Sequence, residues 1–293
     1  MPAAEVDIPP ELVRRLLAAQ QPDLAHLPLE VMAHGWDNLL YRLGDRLVVR
    51  LPRRAVAAQL AEHEQRWLPV LAPRLPLPVP APVRAGRAGL GYPWPWSVIP
   101  FLPGQIAARN PPADPRDAAV SLGRFLAALH AAAPPDAPAN PYRGIPLADR
   151  GAAVTQHLTV LGSLVDPRAV RHAWERAVAA PAWDGPPVWL HGDLHPANIL
   201  VDRGRISAVI DFGDLTSGDP ATDLAVAWML LPADCHVFFQ DAYGAASGYP
   251  VGEDTWARAR GWALALSLAF LAHSGDNPLL MHIGNRTINA VLP

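Results

Sequence analysis

The run HGDLHPANILVDRGRISAVIDFGDLTSGDPATD, from His191 to Asp223, decides how the rest of the chain is read. It holds His191-Gly192-Asp193, Asn198 five residues after that aspartate, and then Asp211-Phe212-Gly213. Between these, Ile199, Leu200 and Val201 read as a short strand, Asp202-Arg203-Gly204 as a turn, and residues 206–210 as the returning strand. Such a hairpin brings Asn198 and Asp211 to one end. Pro196 lacks a backbone donor, so the segment before the hairpin is expected to be an irregular loop and not a helix.

The spacing matches a specific chemistry. Moving a γ-phosphoryl group needs a carboxylate beside the accepting hydroxyl and oxygen ligands that hold Mg²⁺ against the β- and γ-phosphates. In the pattern H-x-D-x-x-x-x-N the aspartate serves the hydroxyl and the asparagine a metal, while the aspartate of D-F-G binds metal from the next strand. By that pattern Asp193 is the catalytic residue, and Asn198 and Asp211 are the Mg²⁺ ligands. Either fragment alone reads as a turn or an N-cap. Their order and the strand-like residues between them carry the signal.

The run HGDLHPANIL, with glycine where protein kinases carry arginine, followed by IDFGD and GDPATDLA, resembles the aminoglycoside phosphotransferase family. There is no Ala-Pro-Glu motif. The resemblance spans the chain, with its specificity in residues 188–224. It implies an α+β, protein-kinase-like fold of two lobes: an antiparallel-sheet, nucleotide-binding lobe over residues 1–102, a hinge near 97–104, and a mainly helical lobe over 105–293. Asp219 and Asp223 are read as structural, capping or bracing the catalytic loop.

Residues 29–33, 39–43 and 46–51 are short apolar runs separated by turn residues, as in an antiparallel meander. The turn at Gly35-Trp36-Asp37-Asn38 lies where a phosphate-covering loop belongs, yet lacks G-x-G-x-x-G. Leu47-Val48-Val49-Arg50 aligns with the V-A-I-K strand, and alternation puts Val48 and Arg50 on one face. The resemblance then implies that Val48 lies against the base and that Arg50 holds phosphate oxygens where lysine is usual. A helix over residues 56–71, with Leu60, Trp67, Leu68 and Leu71 inward, carries Glu64 as the partner of Arg50, with Glu62 as its rival. At the hinge the family places the purine against the Pro100 carbonyl and the Leu102 amide, with Ile99 as gatekeeper.

Beyond residue 105 the apolar spacing is helical: 115–130, 148–164, 167–180, 222–231, 233–246, 253–272 and 278–291. His130 reads as a helix-terminal or packed histidine. Asp214, Glu253 and Asp254 are candidates for holding a cationic acceptor, because the family builds its acceptor pocket after the D-F-G segment.

Composition bounds the partners. All 24 basic residues are arginine, and alanine and 34 prolines abound, which reads as a GC-rich genome and not as a nucleic-acid signature. One cysteine allows neither an internal disulfide nor a cysteine-based zinc site. No apolar stretch is long enough for a membrane span. The amino-terminal residues lack a secretory pattern, and the expectation is a soluble cytoplasmic protein. Residues 1–113 hold 12 Arg against 9 acidic residues, a balance of +3, whereas 114–293 hold 12 against 18, a balance of −6. An acidic second half favours a cationic acceptor.

The sequence therefore points to transfer of the γ-phosphoryl of ATP or GTP to a hydroxyl of an aminoglycoside-like small molecule. Two alternatives stand beside it. One is a kinase of the same fold acting on a macrolide, choline-like, homoserine-like or sugar alcohol. The other is a nucleotide-binding protein impaired in catalysis. The acceptor, a role in antibiotic resistance and the oligomeric state stay open at this level.

Overall fold

The computed structural model describes residues 3–292 and is an α+β protein. The chain forms two compact units. The first comprises residues 3–74, Pro78–Pro103 and Asp211–Gly213, and the second Leu75–Leu77, Gly104–Ile210 and residues 214–292.

The first unit opens with α1 (Pro10–Gln20), whose proline at the first position gives up only an N–H that a helix start leaves unpaired. Leu12, Val13, Leu16 and Leu17 recur at helical spacing and are all buried. Next in the chain come β1 (Leu29–His34), β2 (Asn38–Leu43), β3 (Leu47–Pro52), α2 (Ala55–Leu71), β4 (Arg84–Gly86) and β5 (Trp96–Pro100). The strands form one antiparallel sheet in the order β1-β2-β3-β5-β4. Alternation sorts the side chains. Val49, Leu51, Trp96 and Val98 join Leu12, Leu16 and Leu17 in one core. Val48 pairs with Ile99 and Arg50 with Ser97 on the opposite face.

Helix α2 buries Ala57, Ala61, Glu64, Leu68 and Leu71. Leu60 and Trp67, expected inward, are only half-buried. The buried row keeps helical spacing through Ala61, Glu64, Leu68 and Leu71, and Leu60 and Trp67 fall one position to its side. Glu64 therefore sits in the middle of an apolar row.

The second unit contains β6 (Gln105–Ile106), α3 (Pro115–Leu129), α4 (Gly151–Leu161), α5 (Pro167–Val178), β7 (Val188–Leu190), β8 (Ile199–Asp202), β9 (Arg205–Val209), β10 (Thr216–Gly218), α6 (Ala221–Leu224), α7 (Val226–Leu230), α8 (His236–Ala246), α9 (Glu253–His273) and α10 (Pro278–Val291). The side chains of Asp114, Asp166 and Asn277 cap α3, α5 and α10 by accepting backbone N–H bonds from the first turn. Helix α9 is buried on several sides from Thr255 to Leu271 and packs on α4, α5, α6 and α10. Among the described residues no helix is long and apolar enough to cross a membrane.

Several boundaries differ from the sequence reading. Pro196–Asn198 is a 3-10 turn where an irregular loop was expected. Proline tolerates that first position, and the His195 ring caps the turn by accepting the Ala197 N–H at 3.2 Å. The helix expected over 148–164 narrows to α4, with 3-10 turns at Leu147–Arg150 and Gly162–Leu164. The helix expected over 222–231 is divided between α6 and α7. Strands β6 and β10, each too short to show periodicity, pair with β8 and β7.

Candidate active site

In the second unit β7 delivers the chain into His191, and a buried carboxylate fixes the loop that begins there. Asp223 Oδ2 accepts the His191 N–H at 2.6 Å, and Oδ1 accepts the Gly192 N–H at 2.9 Å. His130, at the end of α3, lies with Nε2 3.3 Å from Asp223 Oδ2 and Nδ1 2.7 Å from the Tyr243 hydroxyl. Gly192 has φ +85°, and a Cβ there would stand 2.2 Å from the Asp214 carbonyl oxygen. The loop's own path thus excludes the arginine of protein kinases. The His191 ring ties the loop to the hairpin: Nε2 donates to the Ile210 carbonyl at 2.9 Å, and Nδ1 accepts the Asp193 N–H at 3.2 Å.

Asp193 is held between a guanidinium and an imidazole. Arg143 Nη2 is 3.3 Å from Oδ1 and His195 Nε2 is 3.4 Å from Oδ2. Burial pushes the Asp193 carboxyl up, but His195, Arg143 and His191 outweigh it and hold the group well below the usual carboxylate range. Asn198 donates from Nδ2 to the Asp193 carbonyl at 2.9 Å, and its own carbonyl accepts the Ile210 N–H at 2.9 Å. Its amide oxygen is thereby turned away from that carbonyl, which leaves an oxygen donor for a hard cation.

In the first unit Arg50 Nη1 binds both oxygens of Glu64, at 2.6 and 2.8 Å, and Nη2 lies 3.3 Å from Asp211 Oδ1. With the Asn38 amide oxygen turned toward it, Asn38 accepts from Arg50 Nε at 3.2 Å and Nη2 at 3.0 Å. Burial pushes the Glu64 carboxyl up, and Arg50 offsets part of that. Burial alone would weaken the Arg50 cation, but Glu64, Asp211 and Asp37 outweigh it. Asp211 has φ +65°, unusual for a side chain with a Cβ, and its carboxylate is more than half exposed. Val48 and Ile99 lie opposite each other on the face that carries Arg50, and Leu47 opposite Pro100. Leu102 is half-buried.

Asp214, Glu253 and Asp254 are set differently from one another. Asp214 accepts from Asn140 Nδ2 at 2.7 Å. Burial, and then the charge of Asp193, push its carboxyl up. Glu253 and Asp254 are exposed in the first turn of α9, where the helix dipole alone favours acidic residues. Sequence reasoning missed Arg143, His195 and Asn38 as partners of the motif residues. Asp219, read as structural, forms a buried ion pair with Arg258 at 2.8 Å and caps the Ala221 N–H at 3.0 Å. Among the described residues no cluster of three or more His, Cys, Asp or Glu could hold a metal by itself. The Asn198 amide oxygen and the exposed Asp211 carboxylate, which Arg50 meets at 3.3 Å, are each the kind of oxygen donor that Mg²⁺ takes.

The fold and this loop define a protein-kinase-like α+β chain. A model of the phosphotransferase enzyme family, APH, matches residues 28–262, and the chain belongs to that family. Similar solved structures include macrolide 2'-phosphotransferase MphH from Brachybacterium faecium, 26% identical with a TM-score of 0.63 over 96% of this chain and 97% of that one. Another is the GDP complex of aminoglycoside 2'-phosphotransferase-IIIa, 19% identical with a TM-score of 0.65 over 95% and 97%. The uncharacterized protein YcbJ of Bacillus subtilis (strain 168) is 38% identical over 55 residues, 18% of this chain and 18% of that protein.

Proposed function

We propose that the protein transfers the γ-phosphoryl group of a nucleoside triphosphate, ATP or GTP, to a hydroxyl of a small molecule. The observation that carries this reading is the loop pinned by Asp223, which presents Asp193 and Asn198 at the spacing phosphoryl transfer needs. Asp193 orients the acceptor hydroxyl and receives its proton. Arg50, braced by Glu64, grips phosphate oxygens, with Val48, Ile99, Pro100 and Leu102 around the base. Asn198 and Asp211 would hold Mg²⁺, which offsets charge on the phosphoryl oxygens when bound. The GDP named for one similar structure supports a nucleotide donor.

The acceptor is argued from local charge. An acidic balance over residues 114–293 favours a polycation such as an aminoglycoside, but charges farther apart than about 8–10 Å are largely screened at physiological salt. Arg143 stands 3.3 Å from the carboxylate that must meet the hydroxyl. Asp193 already answers that guanidinium, so the pair draws a second cation only weakly, and a less cationic small alcohol fits this site as well as an aminoglycoside. The test is a panel of hydroxyl acceptors with ATP and with GTP, read by phosphorylated product. Nucleotide binding without transfer to any acceptor would select the catalytically impaired reading instead.

A further inference from the structure

The strap from Pro138 to Arg150 carries two guanidinium groups, and it is rigidly held. The Thr216 hydroxyl donates to the Pro138 carbonyl at 3.0 Å, and Asn140 donates to Asp214. The Gly144 N–H donates to Thr222 Oγ1 at 3.2 Å, and its carbonyl accepts the Asp219 N–H at 3.0 Å. Gly144 has φ +70°, and a Cβ there would stand 2.7 Å from the Ser217 carbonyl oxygen, so the chain is fixed where it turns Arg143 toward Asp193. Little freedom remains to be lost when a ligand meets that side chain.

The charges on this strap are only partly answered. Arg143 uses Nη2 on Asp193 and Nη1 on the Tyr142 carbonyl, while Nε is buried without an acceptor. Arg150 is half-buried with its guanidinium 5.8 Å from the Tyr142 ring centre, and among the described residues no carboxylate pairs with it. Both groups meet Tyr142, Arg143 at its backbone carbonyl and Arg150 over its ring, and burial, then the Arg143 charge, weaken the Arg150 cation. Burial, then the charges of His273 and Arg150, weaken the His157 cation, and the His157 ring packs against the His273 ring at 4.9 Å. Asp214 is tied to Asn140, and burial pushes its carboxyl up. An unanswered, half-buried guanidinium on the same strap as a buried N–H without an acceptor is the donor set that an oxyanion satisfies.

We propose that Arg143 and Arg150 form an acceptor-specificity subsite that receives an oxyanion, carboxylate or phosphate, carried by the substrate close to its reacting hydroxyl. The proposal rests on the phosphotransfer reading for the identity of the reaction, but the anion subsite itself is a binding claim.

The test uses the full chain and four small alcohols: glycerate, its neutral amide glyceramide, the amine aminopropanediol, and glycerol phosphate. Binding is measured by calorimetry and phosphoryl transfer by product formation. Glycerate or glycerol phosphate is expected to bind at least about tenfold more tightly than the amine, as for hydrogen bonds to charged groups. Whichever of the two binds better identifies carboxylate or phosphate as the partner. Arg150→Gln should abolish the preference for acid over amide, and Arg150→Lys should restore part of it. Acids binding no better than the amine, or a preference unchanged in a folded Arg150→Gln variant, would overturn the subsite. Arg150-dependent anion binding without transfer to any alcohol would instead sink the phosphotransfer reading and leave the subsite standing. Transfer to the amine with no effect of Arg150→Gln would do the reverse.

Discussion

Asp223 holds the Gly192 N–H at 2.9 Å from its Oδ1 while its other oxygen takes the N–H of the preceding residue. One carboxylate from α6 thus anchors two consecutive peptide groups immediately before Asp193. Both hydrogen bonds are charge-assisted and buried, so the acid sets the path of the loop more than any side chain on the loop itself. Asp223→Asn keeps the shape but offers one acceptor oxygen and a donor that faces an N–H. We predict a loss of about 1.5–3 kcal/mol in unfolding free energy, together with a fall in turnover. Denaturant titration checks the first, and a stability equal to wild type would remove Asp223 from this bracing role.

Gly192→Ala tests the backbone itself. Its φ of +85° strains any residue with a Cβ, and the added atom meets the Asp214 carbonyl at 2.2 Å. Strain of this kind costs about 1–3 kcal/mol before the clash is relieved. The variant is expected to melt lower than wild type and to lose most transfer activity, because relief of the clash must move Asp193. Full activity would show that the loop tolerates another path.

Legibility in the sequence tracked distance along the chain. The residues from His191 to Asp223 are close in sequence, so their spacing encodes the hairpin and its flanking acids. Periodicity placed a helix beside Arg50 but could not choose between Glu62 and Glu64, two residues apart; burial does, since Glu64 sits in the inward row and Glu62 is exposed. Arg143 was invisible for a different reason. It comes from 50 residues before Asp193, on a strap without periodicity, and its position depends on how Gly144 packs on Ser217. The 3-10 turn at Pro196 was missed because three residues show no periodicity and histidine is not among the usual capping residues.

Arg50→Ala should be costly because it leaves Glu64 buried without its cation. Removing one partner of a buried pair costs about 3–5 kcal/mol. Burial already pushes the Glu64 carboxyl up, and without Arg50 it rises further. The folded state then keeps a proton that the unfolded chain, with a glutamate near about 4.3, has released. Stability of this variant should therefore fall as pH rises through that interval, steeper than for wild type. Arg50→Met combined with Glu64→Leu should recover most of the lost stability but none of the nucleotide affinity. Recovery of both would separate Arg50 from phosphate binding.

Asp193→Asn removes the carboxylate proposed to meet the hydroxyl while leaving the Asn198 bond to its backbone carbonyl in place. Turnover is expected to fall by about 10²–10⁴, the usual contribution of a positioned acid or base, with nucleotide affinity unchanged. The pH dependence comes from the direction of the shift. Arg143 and His195 outweigh burial and hold this carboxyl below its unfolded value of about 3.9. Its stabilising contribution is then complete above about pH 4 and is lost as pH falls through the lower, folded value. Wild type should lose stability below about pH 4 more steeply than Asp193→Asn, which cannot titrate there. The same depression keeps Asp193 ionised throughout the neutral range, the form that the proposed role of orienting the hydroxyl and receiving its proton requires. A limb in kcat/KM near neutral pH that disappears in Asp193→Asn would mean that the carboxyl titrates there, and that Arg143 and His195 do not govern it as their distances indicate.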